Sequence, residues 1–270
     1  MMHSQLKWVC FVIGIVLCSA TTVDAQLPFY TDDADTTPRH KFHFEFSNEL
    51  DWLQRSSLPG RKQNTSVFTL NYGLTDRIEL GVNVPYLKII NERSSLLGSP
   101  SGIGDTQFGV KVRVLDEHEG SKLPAASVVF YVEAPTGNAR KQLGSGLGDY
   151  WVYGVLQKSF TKRTTGRLNG GILFAGNEST GLIGIGDTRG KVFTANGSLT
   201  RNFTPRLRLG AEVFGAVTNN FDLSRGQLMG QIGGGYALTE KFEVTFGVLG
   251  GRFPASPRGG FLLGFAYDFK

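Results

Sequence analysis

Cysteine is nearly absent from the sequence: the chain has two cysteines, and both, Cys10 and Cys18, lie near its start. The chain after Cys18 can therefore form neither a disulfide framework nor a thiolate metal site. Long hydrophobic runs are also missing, because after residue 20 no apolar stretch reaches the roughly 18 residues that a transmembrane helix needs. These two absences exclude a disulfide-stapled secreted domain and a helical membrane protein.

Histidine is scarce as well, since only His40, His43 and His118 follow residue 25. His40 and His43 are three residues apart on a predicted strand, so their side chains point to opposite faces and cannot bind one metal ion. A serine or aspartate nucleophile needs a histidine beside it, yet the sequence has no Gly-x-Ser-x-Gly motif and no histidine after His118. We therefore expect no enzyme activity, no metal site and no cofactor.

Glycine is abundant, with 36 glycines among 270 residues, where an average protein has roughly 7%. Hydrophobic residues make up 40% of the chain, which is too much for wholesale disorder. Ala, Leu and Lys do not dominate, so the composition does not fit a helical bundle or a coiled coil. The composition favours many short, glycine-rich strands.

Residues 1–25 have the pattern of a secretory signal peptide. Lys7 precedes the apolar run 8–18, which is too short to span a bilayer but long enough for a signal-peptide core. Residues 23–25 supply the small-residue spacing of a cleavage site after Ala25. A buried N-terminal helix is the alternative interpretation of this run.

Period-two alternation, the pattern of strands with two different faces, dominates the chain from about residue 41. In residues 77–84, four aliphatic side chains alternate with Glu79, Gly81 and Asn83. About twelve such segments can be traced, at residues 41–53, 64–73, 77–87, 104–115, 123–133, 147–160, 167–175, 191–201, 206–218, 225–236, 241–250 and 259–269. Most are close to the roughly 9–11 residues that a tilted transmembrane strand requires.

Short and long connections between these segments alternate along the chain. Short ones include residues 73–76 and 237–240, and long ones include residues 88–103 and 134–146. Tight periplasmic turns alternating with long outer loops are typical of outer-membrane barrels. We predict an all-β fold: one closed, antiparallel, up-and-down transmembrane β-barrel of about twelve strands over residues 41–270, preceded by a signal peptide at 1–25 and a periplasmic or lumenal segment at 26–40. A secreted soluble β-sandwich is the alternative.

Polar and charged side chains alternate with the apolar face, and we expect them to line the lumen. A base at the bilayer midplane would cost about 2–4 kcal/mol if it faced lipid. The predicted lumen-lining residues are Glu79, Gln107, Lys111, Arg113, Arg167, Arg208, Glu212, Gln231 and Glu243. The net charge of +5 favours anionic solutes. Because these bases do not cluster on one patch, we predict no nucleic-acid binding.

An acidic cluster, formed by Thr31, Asp32, Asp33 and Asp35, precedes the first predicted strand. One hypothesis is that this segment folds into the lumen as a partial plug and pairs with basic lumen residues. Its candidate partners are Lys111, Arg113, Arg167 and Arg208. A mobile periplasmic tail is the equally weighted alternative.

A Gly-aliphatic-Gly-Asp repeat ends at Asp105, Asp149 and Asp187, each time where a long loop returns to the barrel. We expect these carboxylates to accept hydrogen bonds from loop amides, with a divalent-cation site at the rim as the alternative. The glycines of residues 144–148 do not form a phosphate loop, because a predicted strand follows them and such loops lead into a helix.

Several of these turn and strand-start motifs together resemble an outer-membrane family linked to the meta-cleavage pathway of phenol degradation. The matching segments are Leu27–Asp35, Tyr72–Arg77 continuing to Val84–Tyr86, Gly102–Asp105 with Lys111–Arg113, Ala134–Gly137 and Gly146–Tyr150. The resemblance covers nearly all of the mature chain. It implies a transporter-like β-barrel for hydrophobic or aromatic compounds, and it brings no catalytic motif.

We therefore expect a passive pore or uptake channel for small, aromatic or anionic molecules in the cell outer membrane. Its expected partners are outer-membrane lipid and lipopolysaccharide, the barrel-assembly machinery and a small-molecule solute. The alternative is a non-conducting structural or adhesive barrel that binds through its long extracellular loops.

Overall fold

The computed structural model describes residues 27–96, 98–174, 179–185, 190–218 and 226–269. The predicted signal peptide, residues 1–25, and Asp187 lie outside the described residues. In the described ranges, no helix has both the length and the apolar character needed to cross a membrane.

Twelve strands form one closed antiparallel sheet, and we number them β1 to β12 in chain order. Their bounds are β1 Phe42–Trp52, β2 Gly60–Thr75, β3 Ile78–Asn91, β4 Thr106–Leu115, β5 Ala125–Ala134, β6 Asp149–Thr161, β7 Thr164–Phe174, β8 Lys191–Asn202, β9 Leu207–Thr218, β10 Gln227–Ala237, β11 Phe242–Gly251 and β12 Gly259–Asp268. Each strand pairs with its sequence neighbours, and β1 also pairs with β12, which closes the ring. The prediction of a closed barrel is confirmed, and the soluble sandwich is excluded.

The strands β2 and β3 extend beyond their predicted outer ends. The register pairs Gly60 with Asn91, so this hairpin continues past the point where its alternation becomes weak. A short strand, Ser101–Ile103, adds to the edge of β3 on the same side. In the extension of β3 the alternation is inverted, because Leu87 and Ile89 are buried on the inner face while Lys88 is exposed, and this inversion conceals its strand character.

The outward face of the barrel is an apolar belt. In β10, Leu228, Ile232 and Tyr236 are exposed, whereas Gln227 and Gln231 on the opposite face are buried. Aromatic side chains also pair across neighbouring strands on this outer face. This pattern follows from period two, since successive side chains of a strand point to opposite faces of the sheet.

The interior of the barrel is occupied by the N-terminal segment, which we define as residues 27–38. Phe29 and Ala34 of this segment are buried. The segment leaves the barrel beside Gly73, where Arg39 forms an isolated β-bridge with that glycine. A Cβ at Gly73 would collide with the carbonyl oxygens of Thr37 and Pro38, so only glycine permits this close approach.

The outer end of the barrel is covered by loops that pack inward. Leu143, from the loop between β5 and β6, forms a buried cluster with Leu87 and Ile89 of β3, and Leu182 packs against it. These apolar contacts fix the loops over the outer opening.

Candidate functional site

The N-terminal segment enters the lumen along β9 and β10. Arg208 of β9 donates to the carbonyl oxygen of Leu27 at 3.0 Å, and its guanidinium lies 3.2 Å from Glu243. Gln231 of β10 donates to the carbonyl oxygen of Pro28 at 2.7 Å. Inward side chains of the barrel wall therefore satisfy the first backbone carbonyls of the segment.

Two wall carboxylates accept hydrogen bonds from backbone amides further along the segment. Glu212 accepts from the amides of Tyr30 and Thr31, both at 2.9 Å, and from the Thr31 hydroxyl at 2.7 Å. Glu79 accepts from the amide and the hydroxyl of Thr37 at 2.6 and 2.7 Å. Since charge-assisted hydrogen bonds are the stronger kind, these two sites hold the segment at both of its ends.

Lys111 of β4 is the centre of a buried ionic cluster. Its ammonium lies 2.7 Å from Asp32 and 3.3 Å from Asp33, and it donates to the carbonyl oxygen of Asp35 at 3.2 Å. Glu79 lies at 3.9 Å from the same nitrogen. The ammonium side chain is only 9% exposed, so it depends on these carboxylates in place of water.

The last acidic residue of the segment contacts the periplasmic half of the wall. Asp35 forms an ion pair with Arg113 at 2.9 Å and accepts from the Gln157 amide at 2.8 Å. Arg167 in turn donates to the Gln157 side chain at 2.8 Å. The wall around this part of the segment is therefore basic and amide-rich.

The two neighbouring aspartates of the segment have opposite pKa shifts. Burial raises the pKa of the Asp33 carboxyl, but the charges of Lys111 and Arg167 outweigh it and hold the pKa below its usual value. For Asp32, burial and the negative charge of Asp33 outweigh Lys111, so its pKa is raised. Asp33 is therefore the carboxylate that the basic wall stabilises in its charged form.

A cavity of about 360 Å³ remains beside the segment within the lumen. Three aromatic side chains, Tyr131, Trp151 and Tyr153, line one part of it. The rings of Tyr131 and Tyr153 are stacked at 6.3 Å with 9° between their planes, and Trp151 lies 4.6 Å from Tyr153. The Tyr153 hydroxyl donates to Asp32 at 2.7 Å, so the aromatic wall and the segment are joined.

Carboxylates line another part of the same cavity. Glu45 and Glu49 of β1 and Glu79 of β3 all contribute to its lining. The Tyr30 hydroxyl donates to Glu49 at 2.5 Å, which brings the segment against this wall as well.

The structure places every predicted lumen-lining residue on the inner side of the sheet, buried or half-buried. The buried ones are Glu79, Lys111, Arg167, Arg208, Glu212, Gln231 and Glu243, and the half-buried ones are Gln107 and Arg113. Of the acidic cluster, Thr31, Asp32 and Asp33 are buried and Asp35 is half-buried. Arg208 meets the segment through a backbone carbonyl and not through an acidic side chain. That the segment restricts passage stays a prediction.

Sequence reasoning missed the inward aromatic side chains. The signal was present in the register of β6, where Trp151 and Tyr153 share the inner face with Asp149 while Tyr150 and Val152 are exposed. Because aromatic residues also favour membrane interfaces, their presence in a strand does not by itself indicate the inner face.

Of the Gly-aliphatic-Gly-Asp repeat, Asp105 has the expected hydrogen bonds from loop amides. It is fully buried and accepts from the amides of Gly137 and Ser145 at 2.9 and 2.6 Å. Asp149 is buried too, and Asp187 lies outside the described residues. Within the described ranges, no group of three or more His, Cys, Asp or Glu side chains is arranged to hold a metal ion.

Comparison with known proteins finds one family and a set of similar structures. The family model described as "Putative MetA-pathway of phenol degradation" matches residues 28–269. The NanC porin superposes with a TM-score of 0.58 at 10% identity, covering 84% of this chain and 100% of that one. The KdgM porin superposes with a TM-score of 0.54 at 10% identity, covering 84% of this chain and 99% of that one. No curated protein sequence matches the chain. At these identities the two porins show the same fold.

Proposed function

The chain belongs to the family described as "Putative MetA-pathway of phenol degradation", and from that membership and its barrel we propose that it is a passive outer-membrane channel for small molecules. The observation that carries the proposal is a closed sheet with an apolar exterior and a polar interior that retains a cavity of about 360 Å³. A sheet that meets lipid must satisfy every backbone group within itself, and a closed barrel does so.

The cavity supports a solute that carries an aromatic ring. Its volume of about 360 Å³ exceeds the cavity of about 150 Å³ that holds benzene in a protein interior. Tyr131, Trp151 and Tyr153 offer ring faces and edges against which such a solute packs.

Planar-bilayer recordings of the purified full chain test the proposal. We expect discrete conductance steps, and a concentration-dependent decrease in their amplitude when phenol is added. Trp151→Ala should weaken the phenol effect, whereas Trp52→Ala, a matched change at an exposed ring, should not. Absence of conductance steps would reject the channel.

We propose further that the N-terminal segment restricts the channel as a partial plug. The segment holds bonds to β3, β4, β9 and β10, so it crosses the lumen and does not lie along one wall. Deletion of residues 26–38 should raise the single-channel conductance. An unchanged conductance would reject the plug while leaving the channel in place.

A non-conducting barrel that binds through its outer loops is the second candidate. The observation in its favour is the dense packing at the outer opening, where Leu143 and Leu182 close over β3. If this alternative is correct, both the full chain and the 26–38 deletion give no conductance steps.

We infer that the barrel is not an enzyme. In the described part of the chain, His43 contacts Asp268 at 2.6 Å and Glu45 at 3.1 Å, and His40 contacts Arg39 and Tyr72. Neither imidazole hydrogen-bonds a serine or threonine hydroxyl there, which a hydrolase of the serine type requires.

The surroundings of the barrel follow from its outer face. We propose that outer-membrane lipid and lipopolysaccharide cover the apolar belt and that the barrel-assembly machinery inserts the chain. Phe269, whose ring packs edge-on against Tyr267 at 4.9 Å, supplies an exposed aromatic end to β12 for that machinery.

A further inference from the structure

The barrel interior and the whole chain have opposite charge balances. The complete sequence has a formal net charge of +5. Among the described residues, the buried carboxyl side chains are Asp32, Asp33, Glu45, Asp51, Glu79, Asp105, Asp149, Glu212 and Glu243, and the buried bases are Lys111, Arg167 and Arg208. Nine buried carboxyl groups thus outnumber three buried bases in the described part of the chain.

The basic excess lies at the turns. Lys162 and Arg163 form the β6–β7 turn, and Arg201 and Arg206 flank the β8–β9 turn. All four side chains are exposed. These exposed charges are screened by solvent, so they contribute little to the potential inside the cavity.

The bases near the cavity already have carboxylate partners, and His43 lies 3.1 Å from Glu45 as well. The Lys111 ammonium is within 3.3 Å of both Asp32 and Asp33, and Arg208 lies 3.2 Å from Glu243. The charged side chains that line the cavity are Asp32, Glu45, Glu49, Glu79 and Lys111, which is four carboxyl groups and one ammonium. A solute in the cavity therefore meets more carboxyl groups than bases.

The aromatic part of the cavity favours the same sign of charge. The faces of Tyr131, Trp151 and Tyr153 carry the negative side of the ring quadrupole, which attracts cations within about 6 Å of a ring centroid. Rings of carboxylates select cations in other channels, and low-dielectric walls focus their field. Both walls of the cavity thus disfavour an anion.

We propose that this cavity is a cation-preferring site whose ligands are ring-bearing organic cations, such as protonated aromatic amines. The ring packs on Tyr131, Trp151 and Tyr153, and the ammonium faces the carboxylates of Glu45 and Glu49. The proposal rests on the proposed channel function and gives its solute a charge. It runs against the preference for anions that the net charge of the whole chain suggests.

The first test is the reversal potential of the full chain in a planar bilayer under a potassium chloride gradient at neutral pH. We expect a sign that reports potassium permeating more easily than chloride. The double variant Glu45→Gln/Glu49→Gln should move the reversal potential toward zero, because it removes two carboxylates and keeps their shape. Glu240→Gln, the same change at an exposed turn residue, should leave it unchanged. Chloride preference in the full chain would overturn the inference while leaving the channel intact.

The second test does not need conduction. Trp52→Phe leaves Trp151 as the one tryptophan after residue 25, and its fluorescence reports ligand binding in detergent. Benzylammonium and benzoate carry the same ring with opposite charges. We expect benzylammonium to bind roughly fivefold tighter, because its ammonium faces the carboxylates of Glu45 and Glu49, and the preference to shrink in Glu45→Gln/Glu49→Gln. Equal or tighter binding of benzoate would contradict the proposal, whether or not the protein conducts.

Discussion

Lys111 is the residue on which the docking of the N-terminal segment depends most. Its ammonium contacts two aspartate side chains and one carbonyl oxygen of the segment, and all three contacts lie inside the barrel. Removing one partner of a buried ionic cluster leaves the others uncompensated, which is more costly than the absence of the whole cluster. Lys111 therefore stabilises the docked segment by more than one isolated ion pair would.

Lys111→Met should release the segment and leave the barrel intact. The loss of a buried partner costs about 3–5 kcal/mol, which is enough to undock a short segment. The measurement is limited proteolysis within residues 27–38, together with single-channel conductance, which should rise. Lys122→Met, the same substitution at an exposed residue, should leave the segment protected, and protection that persists in Lys111→Met would show that Lys111 does not hold it.

Acid should also release the segment through Asp33. Its pKa lies below the usual value, so its charged form adds to the stability of docking above the usual pKa, near 3.9, and this contribution is lost as the pH falls through the lowered value. Asp32, whose pKa is raised, has the opposite effect: its protonation on acidification favours the docked segment. We expect conductance to rise on acidification below about pH 4, and Asp33→Asn should reduce this acid dependence. An identical pH profile in the variant would exclude Asp33 as the titrating group.

At the scale of the elements, the local sequence pattern predicted the strands but did not decide where the N-terminal segment lies. Period two marks a strand wherever one face meets lipid and the other faces polar surroundings, as in β9 and β10. At the outer end of β3 that contrast is inverted, with Ile89 buried and Lys88 exposed, and so the extension of the hairpin was missed. For the N-terminal segment, charge complementarity predicted Lys111 and Arg113 as candidate partners. It left the lumenal plug and the mobile tail as equal alternatives, because no local pattern encodes contacts between residues far apart in the chain.

The crossing of the segment over β2 gives a prediction at this scale. Gly73→Ala would place a Cβ against the carbonyl oxygens of Thr37 and Pro38, and overpacking of this kind costs about 1–3 kcal/mol. We expect a higher conductance and a more accessible segment. Gly154→Ala in β6 is the matched control, because a Cβ there meets nothing within 4 Å. Equal behaviour of the two variants would mean that the segment does not need this approach.

At the scale of the whole molecule, the ring of twelve strands is closed without the N-terminal segment. Every strand pairs with two neighbours, and no barrel pairing includes residues 27–38. The stability of the sheet and the state of the lumen are therefore separate properties. The glycine content and the alternating segments predicted the closed sheet. The net charge of the whole chain, in contrast, did not predict the charge of the residues that line the lumen.

Deletion of residues 26–38 should accordingly leave the heat-modifiable gel mobility of the barrel unchanged. The unheated protein should still migrate as a folded species in detergent, because the strand ladder keeps all of its pairings. Comparison of unheated and boiled samples of the full chain and the deletion measures this. A deletion that migrates as unfolded without heating would show that the segment is part of the barrel core.

The bridge between Arg39 and Gly73 ties the segment to β2 only a few residues after its last lumenal contact. The segment is therefore an intramolecular ligand, and its occupancy follows from an effective concentration set by a short tether. Dilution of the purified protein cannot remove the N-terminal segment. A barrel whose segment undocks binds the same segment again without meeting another molecule.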